Sequence, residues 1–106
     1  MSEINPASNL VTHITAIDID PMNQAELIKL MAERARFMVG QPGFVSLNLH
    51  RSTDNRHVVN YVQWVDNAQF EAARCAPGFH AHASRFSALI QNVESSFYDV
   101  VLVEEK

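Results

Sequence analysis

Cysteine, glycine and excess positive charge are all scarce in this chain, and each scarcity excludes a class of protein. A single cysteine, Cys75, precludes an internal disulfide framework and agrees with a reducing compartment, so a cytoplasmic location is expected. Eight Lys and Arg against twelve Asp and Glu leave a formal charge of −4, which offers no basic footprint for DNA or RNA. No apolar run approaches the roughly 20 residues needed to cross a bilayer. The opening MSEINPASNL has neither the basic start nor the apolar stretch of a secretory signal, so no membrane partner is expected. Three glycines and four prolines are too few for a collagen-like or low-complexity chain. With 106 residues, one core is the natural outcome. Residues 1–9 read as a loosely ordered polar arm, and 10–106 as a single domain.

What the chain does have is regular patterning. Leu10 to Asp18 (LVTHITAID) is rich in β-branched residues and reads as a strand. Asp20-Pro21 then supplies a helix start, and Leu27, Ile28, Met31, Ala35 and Met38 recur at helical spacing as far as Val39. Gly40 is the expected left-handed cap, and Pro42 prevents continuation. Phe44–Arg51 and His57–Val65 alternate on either side of the turn-forming Ser52 to Arg56 and predict a hairpin. Asp66 caps a short helix over Asn67–Cys75. A further helix is expected from Phe79 to about Gln91, with Phe79, His82, Phe86 and Ile90 on one side, and a closing strand over Ser96–Val103. The order β-α-β-β-α-β is the ferredoxin-like arrangement: a four-stranded antiparallel sheet with helices on one face. Its open face would be apolar enough to favour a homodimer joined sheet to sheet.

A symmetric turn would pair Arg51 with His57, and so Asn48 with Asn60, His50 with Val58 and Phe44 with Trp64. Directly opposed residues share a face, which would gather Phe44, Asn48, His50, Asn60 and Trp64 as a pocket. Val45, Leu47, Leu49, Val59 and Tyr61 would then form the dimer face. A slip of one residue reverses the assignment for one strand.

Several segments carry a family likeness: Pro42-Gly43-Phe44, Leu49-His50-Arg51-Ser52, Val59-Asn60-Tyr61-Val62-Gln63-Trp64, Phe70-Glu71-Ala72 and Pro77-Gly78-Phe79-His80-Ala81-His82. In order and spacing they resemble the antibiotic biosynthesis monooxygenase domain family, small dimeric α+β barrel proteins. The resemblance implies a homodimer and, in the best-understood branch, oxidation of anthrones, quinols and related phenols by O₂ with no metal, flavin or other cofactor. It implies that Asn60 and Trp64 point into the substrate cavity, and Phe70 stands where some members carry a Tyr. The chemistry asks for a substrate anion held in a dry pocket with donors for developing charge. An amide and an indole N–H supply such donors.

Among the five histidines, His82 falls on the apolar stripe and is the candidate base. His80 and His82 lie two apart on a helix, about 200° around it, so they cannot share one ion, and no closed metal-site spacing occurs. The role of His13 stays undecided. Catalytic candidates are therefore Asn60, Trp64 and His82; substrate contacts are Phe44, Asn48, His50, Phe70, Arg85 and Phe86. The competing readings on this scaffold are a non-redox polyketide cyclase, an isomerase or a small-molecule binding protein. Haem degradation ranks lower, because Arg74 stands where that branch carries its His.

Overall fold

The computed structural model describes residues 10–106; the polar arm expected over 1–9 lies outside them. The chain runs β1 (Val11–Ile19), a 3₁₀ turn (Pro21–Asn23), α1 (Gln24–Val39), β2 (Phe44–Arg51), β3 (His57–Trp64), α2 (Asn67–Cys75), a second 3₁₀ turn (Pro77–His80), α3 (Ala83–Leu89) and β4 (Ile90–Tyr98). The strands form one four-stranded sheet in the order β2-β3-β1-β4, and every neighbouring pair is antiparallel. This is the ferredoxin-like α+β fold expected from the patterning.

Local chemistry explains the joints. Asp20 accepts a hydrogen bond from the Met22 N–H at 2.9 Å, and Asp66 accepts from the Gln69 N–H at 2.8 Å, so both acidic side chains satisfy otherwise orphaned donors where helical chain begins. The reversal after α1 differs from expectation. Gly40 keeps a right-handed φ of −81°, and the positive φ falls at Gly43, +83°. There the Gly43 carbonyl accepts from Val65 N–H at 2.7 Å, and a Cβ would collide with the Gln69 side chain. Only glycine suits both demands.

The β2–β3 register is one residue away from the symmetric-turn expectation: Arg51 pairs with Val58, His50 with Val59, Leu49 with Asn60 and Asn48 with Tyr61. The turn is the cause. Ser52 N–H donates to the His57 carbonyl at 2.9 Å, while Ser52 Oγ accepts from the N–H groups of Arg56 and His57, and Asn55 takes a φ of +63°. These bonds close the loop on the Ser52–His57 pair. A bulge between Phe44 and Ser46 then restores Phe44 opposite Trp64.

The slip sorts the side chains by face. Leu47 and Leu49 join the helix side with Asn60, Val62 and Trp64, whereas Asn48 and His50 join Val59 and Tyr61 on the open side. Two clusters fill the space between sheet and helices. One centres on Ile17, Ile19, Leu27, Leu30, Met31, Val58 and Phe86; the other centres on Met38, Val62, Trp64, Phe70 and Ala73.

The last third of the chain departs most from expectation. The continuous helix over Phe79–Gln91 is broken at Ala81-His82, where His82 adopts a left-handed φ of 65°. The final strand therefore begins at Ile90, not Ser96, and ends at Tyr98. It pairs with β1 from Ile19↔Ile90 to Thr12↔Tyr98, so Ile90 and Gln91, expected at the end of the helix, lie in the strand.

Candidate active site

A cavity of about 320 Å³ opens between the helices and the sheet and draws its walls from both apolar clusters. That volume falls in the roughly 300–1,000 Å³ range of small-molecule sites. The sheet contributes His13, Thr15 and Ile17 from β1, Asn60, Val62 and Trp64 from β3, and Val93 and Ser95 from β4. The helical layer contributes Met31, Arg34 and Met38 from α1, Phe70 and Arg74 from α2, and Phe79 and Phe86 beyond it. Among the described residues, no Asp or Glu lines it. Strand β4 is exposed on both faces, Val93 by 49%, so the cavity meets solvent along this edge.

Strand alternation aims the key groups. Thr15 opposes Asn60, His13 opposes Val62 and Val11 opposes Trp64 in the β1–β3 ladder, so all six share the helix-facing side. Trp64 is fully buried. Its ring is held edge-on by Phe44, centroids 5.5 Å apart, and by Phe70 at 6.0 Å. His13 lies between Phe70 and Phe97, 5.0 Å from each centroid. Burial, followed by the positive field of Arg74, holds the His13 imidazole below its ordinary pKa, so near neutral pH the ring is uncharged and can accept a proton. Arg74 itself is exposed and ion-paired with Glu71 at 2.7 Å, which raises its own pKa.

Three buried polar atoms in this wall have no hydrogen-bond partner: Asn60 Oδ1, Trp64 Nε1 and Arg34 Nε. Buried polar groups are nearly always satisfied, and an unpaired one costs about 1–3 kcal/mol. All three belong to residues of one apolar cavity, where a ligand with its own acceptors and donors would complete them; the other unpaired buried atoms, Ser46 Oγ, Gln63 Oε1 and Gln69 Oε1, lie outside it.

Of the residues expected from sequence, the structure gathers Asn60, Trp64, Phe70 and Phe86 in the cavity wall, with Phe44 packed behind Trp64. Four others lie elsewhere. The register shift carries Asn48 and His50 to the open face, where both are exposed. His82 sits at the break before α3, with Nε2 3.3 Å from Glu33 Oε2, because the stripe that included it assumed an unbroken helix. Arg85 is spent on a surface ion pair with Glu26.

Three titratable cavity residues are not among the expected site residues: His13, Arg34 and Arg74. Signals for two of them exist. His13 shares the two-residue period of the buried Ile17 and Ile19, and Arg34 interrupts the α1 stripe between Met31 and Met38. Among the described residues, no three His, Cys, Asp or Glu side chains gather into a metal-binding group, and no helix is long and apolar enough to cross a membrane.

A ferredoxin-like sheet with a mostly apolar cavity, open along β4 and lined by a few polar groups, has the form of a small-molecule site on an α+β scaffold. A model of the antibiotic biosynthesis monooxygenase family matches residues 10–85, and the chain belongs to that family. Tetracenomycin-F1 monooxygenase of Streptomyces glaucescens is 35% identical over 86 residues, covering 77% of this chain and 74% of that protein. Deoxynogalonate monooxygenase of Streptomyces nogalater is 39% identical over 66 residues, covering 61% of this chain and 56% of that protein. Among solved structures, SnoaB, a cofactor-independent oxygenase from Streptomyces nogalater, is similar with a TM-score of 0.81 and 29% identity over 93% of this chain and 100% of that one. An asparagine-to-alanine variant of SnoaB gives a TM-score of 0.80.

Proposed function

We propose that this protein is a monooxygenase that uses O₂ directly, with no metal or flavin, on a flat phenolic, quinol or anthrone-like molecule bound in the helix–sheet cavity. The observation that carries the reading is the pair of unpaired buried donors, Trp64 Nε1–H and Arg34 Nε–H, in an apolar cavity that the Asn60 carboxamide also lines and that, among the described residues, no Asp or Glu lines. Such a cavity favours an anionic, electron-rich ring over its neutral form. The likeness to a cofactor-independent oxygenase supports the same chemistry.

In this reading neutral His13 takes the acidic proton of the substrate, giving a resonance-stabilised carbanion–phenolate. The Asn60 amide and the Trp64 N–H donate to its oxygen. The anion passes one electron to O₂, the resulting radical and superoxide combine to form a C–O bond, and protonation by His13 yields the hydroperoxide. Loss of water cleaves the O–O bond and leaves a ketone. An anthrone plus O₂ thus becomes an anthraquinone plus H₂O. Contact with Phe70, Phe79 and Phe86 keeps water from intercepting the radical pair.

The test is isotopic. With ¹⁸O₂ and 9-anthrone, the account expects one ¹⁸O atom in the quinone and the other in water. Rearranged or cyclised product without ¹⁸O would instead establish the non-redox alternative on this scaffold.

The open sheet face carries Ile14, Val59, Tyr61 and Tyr98 among polar neighbours, with Tyr98 52% exposed. A second copy packed on this face would cover that apolar stripe, giving a homodimer of two sheets. Sedimentation at micromolar concentration should give twice the 11.9 kDa chain mass. A single species of one chain mass would contradict the interface.

A further inference from the structure

Arg34 is the least expected group in the cavity. It occupies the inward stripe of α1 between Met31 and Met38. Its guanidinium carbon stands 4.1 Å from the Phe86 ring centroid and 4.5 Å from that of Phe79. Both rings lie within cation–π distance of the guanidinium. Nothing else holds it: among the described residues Arg34 has no ion pair, and its buried Nε has no acceptor. The nearby acids of α1 are committed outward, Glu26 to Arg85 and Glu33 to His82. Burial alone acts on the group, drawing its pKa down with no compensating charge, yet a guanidinium stays protonated at any physiological pH.

An unpaired cation in an apolar wall is costly unless something entering the cavity completes it. The edge that carries Nε–H also carries a parallel Nη–H, a two-pronged donor that fits the two oxygens of a carboxylate far better than a single phenolate oxygen. Resting on the proposed use of this cavity for a polyaromatic substrate, we infer that Arg34 is a specificity-determining residue that binds a carboxylate on that substrate. The reacting ring then lies against Asn60 and Trp64, across the cavity from α1, so Arg34 chooses and orients the substrate without touching the bonds that change.

Redox-inert probes separate this inference from the reading beneath it. Titration calorimetry compares anthraquinone-2-carboxylate with anthraquinone-2-carboxamide. The wild-type protein should bind the carboxylate at least about tenfold more tightly, the scale of one charge-assisted pair. Arg34→Gln should reduce that preference to within about twofold, and Arg34→Lys should retain an intermediate preference. Equal affinities in the wild type, or a preference that survives Arg34→Gln, would overturn the assignment. So would a preference that disappears instead in Arg74→Gln. Failure of the wild type to bind either probe would overturn the polyaromatic reading of the cavity itself. Should Arg34→Gln not fold, as judged by circular dichroism, the wild-type ratio and Arg34→Lys decide the matter.

Discussion

Asn60→Ala should lower turnover of an anthrone by about 10²- to 10³-fold, the scale of losing one preorganised oxyanion donor, with little change in stability. The two halves of that expectation have separate origins. The Asn60 side chain is half-buried, and its carboxamide oxygen is bonded to no described group, so its removal breaks no internal network and leaves no partner stranded. In the proposed mechanism the rate loss follows because the amide, opposite Thr15 in the ladder, donates to the developing charge. Trp64→Phe is the companion: it removes the unpaired N–H but keeps an aromatic ring against Phe44 and Phe70. Trp64→Ala would confound the experiment, since truncating a fully buried Trp costs about 3–5 kcal/mol. Steady-state O₂ uptake beside urea unfolding separates the effects. Full activity in Asn60→Ala would remove the amide from the site.

The second large effect is at His13. Replacement by Phe preserves a ring between Phe70 and Phe97 but removes the proposed base, so turnover should fall by about 10²- to 10⁴-fold. The pH dependence has a definite sign. Only neutral imidazole accepts the proton, and burial with Arg74 holds the folded-state pKa below the ordinary value. Activity in the wild type should therefore persist below that ordinary value and decline only as pH falls through the depressed one. Arg74→Gln removes one of the two causes and should move the acidic limb to higher pH. The same shift couples to stability. An unfolded chain takes up the proton first as pH falls, so this contribution is complete above the ordinary imidazole value and is lost between it and the folded one. An acidic limb that is identical in His13→Phe would assign the base elsewhere.

The element order was legible because its signals are local. Asp20-Pro21, Asp66 with Gln69 three residues on, and the alternation of β2 and β3 each act over a few residues, and the structure uses them as read. The register was not legible, because the Ser52 hydroxyl decides it by bonding two N–H groups across the turn. A polar side chain's choice of partner leaves no trace in periodicity. That one residue sends Asn48 and His50 to the open face, so two expected contacts were misplaced by a single hydroxyl. His82 failed for another reason: the helical stripe ran through a left-handed residue, and no Gly or Pro at that position marks the break. The pocket's sheet wall was half visible, since Asn60 and Trp64 came from the family likeness. His13 and Arg34 needed the third dimension, because each carries chemistry on a face whose periodicity reads as core.

The most direct test of the whole account is O₂ uptake by protein freed of flavin and treated with chelator, with 9-anthrone and a hydroquinone as substrates, wild type beside Asn60→Ala. The account predicts uptake above the spontaneous rate, one O₂ per quinone formed, unaffected by chelator and nearly abolished in Asn60→Ala. Uptake equal to the spontaneous rate for both substrates, or uptake restored only by added metal or flavin, would contradict it.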